Sequence, residues 1–135
     1  PWQHVLDCLS GYLRLAEWIS ENEASSLSPH RSFNFGPARE SERSVGELVG
    51  ECLSHWPGEW EDQSSGDHLH EANRLAVSVE LAQSELGWVP TWTFPEAIAK
   101  TMEWYRAFEL EGERSQLPTL MRKQISNFES RPKSA

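Results

Sequence analysis

Apolar residues recur at spacings of three and four in several stretches of the chain, which is the period of an amphipathic helix. The first stretch runs from about residue 4 to residue 22, and its apolar positions are Val5, Leu6, Leu9, Leu13, Ala16 and Ile19. The second stretch follows a capping box, Ser44 with Glu47, and continues to Trp56. The pattern predicts a helix in each stretch.

Three further helices are predicted in the second half of the chain. A short one covers residues 80–86 and ends at Gly87, where a left-handed residue commonly closes a helix. A second capping box, Thr93 with Glu96, precedes the most regular stripe: Phe94, Ala97, Ile98, Thr101, Met102, Tyr105 and Phe108. The last predicted helix follows Pro118 and uses Leu117, Leu120, Met121, Ile125 and Phe128.

A period of two indicates short strands between these helices. Phe33 and Phe35 alternate with polar residues, Leu75, Val77 and Val79 alternate in the same way, and a third short strand is an option at Trp60. The sequence therefore predicts an α+β fold that is mostly helical, with two or three short strands. So few strands do not make a stable sheet alone, and their backbone groups need a partner in this chain, a second copy or a missing region.

Composition narrows the class of protein. A chain of 135 residues with 38% hydrophobic and 24% charged residues and a mean hydropathy of −0.61 is typical of one soluble globular domain, or a large part of one. The net charge of −9 argues against nucleic acid and anionic membranes as partners. Without a long apolar run or a secretory signal, the chain is expected to be cytoplasmic. Cys8 and Cys52 are expected to be buried free thiols, since two cysteines do not make a disulfide framework.

The motifs of several enzyme classes are absent from the sequence. No G-x-G-x-x-G, no phosphate-binding loop, no G-x-S-x-G and no Tyr-x-x-x-Lys occurs in it. His68 and His70, with Glu71 or Asp67, form a weak candidate for a metal site, although a polar loop is the favoured interpretation. Cys52 with His55 is a weaker candidate still. Trp88 and Trp92 would either wall a ligand pocket or pack as a lid on the core, and we favour packing.

Four short motifs, in this order, resemble the C-terminal part of the extended short-chain dehydrogenase/reductase family, and most closely its CDP-glucose 4,6-dehydratases. The resemblance covers roughly residues 1–108. The four motifs are Pro1-Trp2-Gln3-His4-Val5-Leu6 with Gly11-Tyr12-Leu13; Phe33-Asn34-Phe35-Gly36-Pro37; His70-Glu71-Ala72; and Leu86-Gly87-Trp88-Val89-Pro90 leading to Glu96-Ala97 and Thr101-x-x-Trp104-Tyr105.

The resemblance implies an NAD-dependent lyase that acts on a nucleotide sugar, here a CDP-hexose. Hydride leaves C4 of the hexose, water is lost across C5 and C6, and the hydride returns to C6. The half of such an enzyme that binds NAD in a Rossmann-like fold and carries the catalytic tyrosine and lysine is not in this sequence. This chain would therefore be the C-terminal, substrate-side part of the fold, with no cofactor of its own and no catalytic residue. Residues 33–37 would lie at the edge of the cofactor domain's sheet.

The resemblance also implies candidate substrate-binding residues. Arg39 and His70 match positions that contact the nucleotide in related dehydratases, with Glu71 beside His70, and the planar guanidinium of an arginine suits a diphosphate. Gln3 and His4 would lie near the hinge between the domains, where His4 orients backbone. The family's Leu-Asp pair and its Ser/Thr-Lys-Ala are replaced by residues 77–78 and 80–82, which puts an intact site in doubt.

Two hypotheses of different classes follow. In the first, residues 1–108 are the substrate-binding region of a longer dehydratase-like protein, inactive alone, and residues 109–135 add a helical extension and a polar tail; the first residue, Pro1, also suggests a longer parent. In the second, the chain is a free-standing, non-catalytic binding or dimerisation module that forms a homo-oligomer. A metal-dependent enzyme using His68 and His70 is the third and weakest hypothesis.

Overall fold

The computed structural model of this chain describes residues 2–22, 32–63, 76–110 and 114–131. Within these ranges 66% of the residues are helical and no strand is found. A single 3₁₀ turn covers Arg39–Ser41 and another covers Arg114–Gln116. The α-helices are α1 (Val5–Glu21), α2 (Val45–His55), α3 (Glu80–Leu86), α4 (Phe94–Glu109) and α5 (Leu117–Glu129).

The predicted helices are confirmed, and the predicted capping residues set the starts of α2 and α4 and the end of α3. At the start of α2 the backbone N–H of Ser44 donates to the Glu47 carboxylate at 2.7 Å, and the N–H of Glu47 donates to Ser44 Oγ at 3.2 Å. Glu96 accepts from the backbone N–H of Thr93 at 3.0 Å at the start of α4. Gly87 ends α3 with φ of 62°, a left-handed conformation that glycine adopts without steric cost.

The α+β prediction with two or three short strands is wrong for the part of the chain that the structure describes. The segments around Asn34 and Ser78 do lie side by side, but they meet through a side chain: Asn34 Nδ2 donates to the backbone oxygen of Ser78 at 3.2 Å. No backbone ladder joins them in the described residues, and Trp60 lies in irregular chain. Leu75 lies outside the described residues. Alternation over three to five residues fixes which side chains share a face, but a strand also needs a neighbour to bond its backbone.

The helices pack in two groups. α4 lies between α2 and α5, while α1 packs on α3 and on the irregular segment that follows α3. The core of the second group is Ala82, Leu86 and Trp88, with Leu15, Trp18, Phe33, Phe35 and Val79 packed around it. Trp88 and Trp92 are 4% and 6% exposed, so both are buried, as the packing interpretation predicted. Cys8 and Cys52 are free but only half-buried.

The apolar stripe of α1 faces solvent. Its members Val5, Leu9, Leu13 and Ile19 are between 46% and 67% exposed, whereas the opposite face buries Asp7 and Gly11. An amphipathic helix on the surface of a globular domain normally has the reverse orientation. α1 thus presents an apolar face that nothing in the described residues covers. None of the described helices is both long and apolar enough to cross a membrane.

Candidate functional site

Three polar side chains on one face of α1 hold the segment that follows α3. Asp7 Oδ1 accepts from the backbone N–H of Thr91 at 2.6 Å, and Ser10 Oγ accepts from the Trp88 indole at 2.9 Å. Arg14 Nε donates to the backbone oxygen of Leu86 at 2.7 Å. None of these three residues is among the site residues predicted from the sequence. Their spacing of three and four, which places them on one helix face, was the available signal.

Asp7 is the most deeply buried ionisable group among them. Its exposed fraction is 0%, and no partner is found for Oδ2 among the described residues. Burial raises the pKa of the Asp7 carboxyl, and the backbone N–H groups of Thr91 and Trp92 oppose that shift. The carboxyl therefore joins α1 to the segment that follows α3 at an electrostatic cost.

Gln3 and His4, both predicted site residues, lie together at the start of α1. Gln3 Nε2 donates to the backbone oxygen of Phe35 at 2.9 Å, which ties the first motif to the second, and Gln3 Oε1 is buried with no partner among the described residues. His4 Nδ1 accepts from the backbone N–H of Leu6 at 3.2 Å and so caps α1. The edge of the His4 ring meets Trp92, with ring centroids 4.5 Å apart.

The environment of His4 keeps its imidazole neutral. Burial, and secondarily the positive charge of Lys100, lower the pKa of His4 to about 4. A neutral ring that accepts a backbone N–H bond is suited to fixing the helix start and poorly suited to donating a proton at neutral pH.

A cleft of about 390 Å³ opens beside Gln3 and His4. Its other walls come from the first turn of α1, with Val5 and Leu6, and from α4 and α5. They are largely apolar with a few polar groups among them, the composition usual for small-molecule sites. These walls include Thr101, Trp104, Tyr105, Met121, Gln124 and Ile125.

Arg39, the third predicted residue that the structure describes, lies elsewhere. Its guanidinium is 87% exposed, stands 3.7 Å from the carboxylate of Glu80, and lines a polar groove of about 410 Å³ formed by residues 37–42 and 76–83. A hydrogen bond from Ser78, more than the charge of Arg39, lowers the pKa of Glu80. This groove shares no lining residue with the cleft at Gln3 and His4, so the structure does not bring Arg39 together with them.

The remaining predicted positions lie outside the described residues, namely His70 and Glu71, and with them the metal candidate His68. Their roles stay predictions. Among the residues that are described, no group of three or more histidine, cysteine, aspartate or glutamate side chains could hold a metal. His55, the partner considered for Cys52, instead lies 3.3 Å from the carboxylate of Glu51.

Among the described residues, the one glycine with positive φ is Gly87, at the C-terminal end of α3.

Comparison with known proteins supports the resemblance seen in the four motifs. The chain is 33% identical over 114 residues to the CDP-glucose 4,6-dehydratase of Salmonella typhimurium (strain LT2). No family model matches the chain, and no solved structure matches it. The matched stretch covers 84% of this chain and 31% of that enzyme, so the chain spans about a third of the length of this relative. The predicted resemblance is confirmed: the chain is similar to part of a CDP-glucose 4,6-dehydratase, and a C-terminal portion is consistent with that coverage.

Proposed function

We propose that this chain is the substrate-side portion of a CDP-glucose 4,6-dehydratase-like enzyme. In the longer protein it would close over the CDP-hexose, while the remaining part holds NAD and carries the catalytic tyrosine and lysine of a lyase. The chain alone is then inactive. The observation that carries this proposal is the 33% identity to the dehydratase over 84% of the chain.

The orientation of α1 supports a missing partner domain. Exposed apolar area costs free energy in water, at about 25 cal/mol per Å², and side chains as large as Leu9 and Leu13 on one helix face mark an interaction surface. The backbone of residues 33–35, which makes no backbone–backbone hydrogen bond within the described residues, lies beside the same helix, with the Phe35 ring against Gly11. A domain that pairs with this backbone and covers α1 would satisfy both features.

In this proposal Arg39 contacts the diphosphate of the nucleotide. Its guanidinium is exposed at the edge of an open groove, and its ion pair with Glu80 is long and exposed, so a phosphate group could replace Glu80 without breaking a buried ion pair. His70 and Glu71 would contribute further contacts to the nucleotide, and Gln3 with His4 would border the hinge.

Calorimetric titration of the purified chain with CDP and with NAD tests the proposal. We expect CDP to bind, Arg39→Ala to weaken that binding about 10-fold or more, as loss of a charged hydrogen bond does, and NAD not to bind. Arg122→Ala, an exposed arginine of α5, is the matched control and should leave CDP binding unchanged. CDP affinity that does not depend on Arg39, or a micromolar complex with NAD, would contradict the proposal.

The exposed face of α1 also favours a second candidate, a non-catalytic homodimer in which two copies of α1 cover each other. Light scattering separates the two candidates. A monomeric mass at high concentration would exclude the homodimer. A dimeric mass that Leu13→Lys reduces to that of a monomer would support it. In either case we propose a protein without nucleic-acid or anionic-membrane partners, because its charge is −9. A cytoplasmic location stays a prediction from the sequence.

A further inference from the structure

Most side chains of the helix α5 are exposed, and a small set of them holds it on the rest of the chain. Gln124 and Phe128 are its buried residues, and Leu117 and Leu120 are half-buried. Gln124 Nε2 donates to the backbone oxygen of Lys100 at 2.9 Å and to the carboxylate of Glu103 at 3.2 Å, and an ion pair between Arg131 and Glu96 adds a contact just after the helix. A helix with so many exposed side chains can open while the core stays folded.

Phe128, the buried aromatic residue of α5, belongs to a row of rings that reaches the start of α1. The ring of Phe128 meets Trp92 edge-on, with centroids 5.2 Å apart, and Trp92 meets His4 at 4.5 Å. All three rings are less than 9% exposed. Phe128 is therefore the outer member of a row of rings whose inner member caps α1.

We infer that α5 is a C-terminal clasp: Phe128 holds Trp92 against His4, so that docking of α5 fixes the imidazole, the first turn of α1 and one wall of the cleft. Phe128 is then a positioning residue that acts through Trp92. The inference does not depend on the identity of the substrate, because each contact in it lies within this chain.

Closure by the clasp changes the surroundings of His4 in a measurable way. With α5 docked, His4 is buried, and the positive charge of Lys100 in α4 also disfavours protonation of its ring. Release of α5 would admit water to Trp92 and then to the imidazole, which favours its charged form. It would also free the His4 ring to move, and the hydrogen bond from the Leu6 N–H to that ring would weaken.

NMR titration of the His4 ring in Phe128→Ala tests the inference, with Asn127→Ala, at the neighbouring exposed position of α5, as the control. We expect a midpoint near 4 in the unaltered chain and in Asn127→Ala, and a midpoint moved towards 6.5 in Phe128→Ala. An unchanged midpoint in Phe128→Ala would overturn the clasp.

Native-state hydrogen exchange on the unaltered chain gives a second test that needs no variant. If α5 holds the His4 cap, the Leu6 amide and the interior amides of α5 exchange with the same opening equilibrium constant. A Leu6 amide whose protection differs clearly from that of α5, in either direction, would show that the two open separately and would also overturn the inference.

Discussion

The ring of Phe35 lies directly on the backbone of Gly11. A Cβ built at Gly11 would stand 2.3 Å from Cδ1 of Phe35, far inside van der Waals contact. The ring has little room to retreat, because Tyr12 and Trp88 meet it with centroids 5.6 and 5.0 Å away. The first and second motifs of the resemblance are thus joined by a contact that only glycine permits.

Gly11→Ala should therefore destabilise the chain, by about 1–3 kcal/mol, the usual range for overpacking. Gly50→Ala in α2 is the matched control, since nothing lies within 4 Å of a Cβ there. The control should be more stable than the unaltered chain by up to about 1 kcal/mol, the difference in helix propensity. Urea unfolding of both variants measures the effect, and equal stabilisation by the two alanines would refute the contact.

Substitutions at Leu13 and Leu86 test which face of α1 is exposed to solvent. Leu13 is 67% exposed and Leu86 is 1% exposed. In the monomeric chain Leu13→Lys should change the free energy of unfolding by no more than about 0.5 kcal/mol, whereas Leu86→Ala should cost about 2–5 kcal/mol. A large loss from Leu13→Lys in a monomer would mean that the apolar stripe is covered within this chain.

Asp7 should make stability depend on pH in a defined direction. Because burial raises its pKa in the folded chain above the ordinary value of 3.8, the folded state binds its proton more tightly than the unfolded state does. Its contribution is then full below pH 3.8 and is lost as the pH rises through the folded pKa. The stability difference between the unaltered chain and Asp7→Asn should fall over that window.

Urea unfolding at a series of pH values measures this difference, and Glu59→Gln, which alters an exposed carboxyl, is the control for the loss of one charge. A difference that grows as the pH rises would refute the assignment. Asp7→Ala has a separate effect at every pH: it leaves the Thr91 N–H without its acceptor and should cost about 1–3 kcal/mol.

The ion pair between Arg131 and Glu96 joins the end of α5 to the start of α4. The hydrogen bond from Arg131 is the main reason that the pKa of Glu96 is lowered to about 2, so Arg131→Ala should move its NMR titration midpoint towards 4.5. Since a lowered pKa stabilises the fold above 4.5 and loses that effect as the pH falls towards 2, the variant should be less stable at neutral pH. The loss should be below about 1 kcal/mol because the pair is partly exposed.

The control for this ion pair is an exposed arginine of α5. Arg122→Ala removes an exposed charge of α5 and should leave the Glu96 midpoint where it is. If Arg131→Ala also leaves that midpoint unchanged, Arg131 does not pair with Glu96 in solution.

The helices were predictable because their signals are local. Helix ends are marked within four residues of sequence by Ser44 with Glu47, by Thr93 with Glu96, and by Gly87. The apolar stripes repeat often enough for the helical period to be recognised. The predicted strands at Phe33 and Val77 failed because two or three alternating residues carry no information about which backbone lies alongside.

The face that each helix buries was less accessible from sequence. The apolar stripe of α1 predicted the helix correctly, but its polar face is the one that packs, since Asp7, Ser10 and Arg14 find backbone and indole partners more than 70 positions away in sequence. Of the candidate site, the adjacency of Gln3 and His4 follows from their numbers, whereas the distance of Arg39 from them depends on tertiary packing alone.

The most direct test of the central claim is to incubate the pure chain with CDP-glucose and NAD and to follow the sugar nucleotide by mass spectrometry, with the Salmonella dehydratase as positive control. We expect the substrate to remain unchanged with this chain while the control converts it to a product lighter by one water. Formation of the dehydrated product by this chain alone would contradict the claim that it is only the substrate-side portion of such an enzyme.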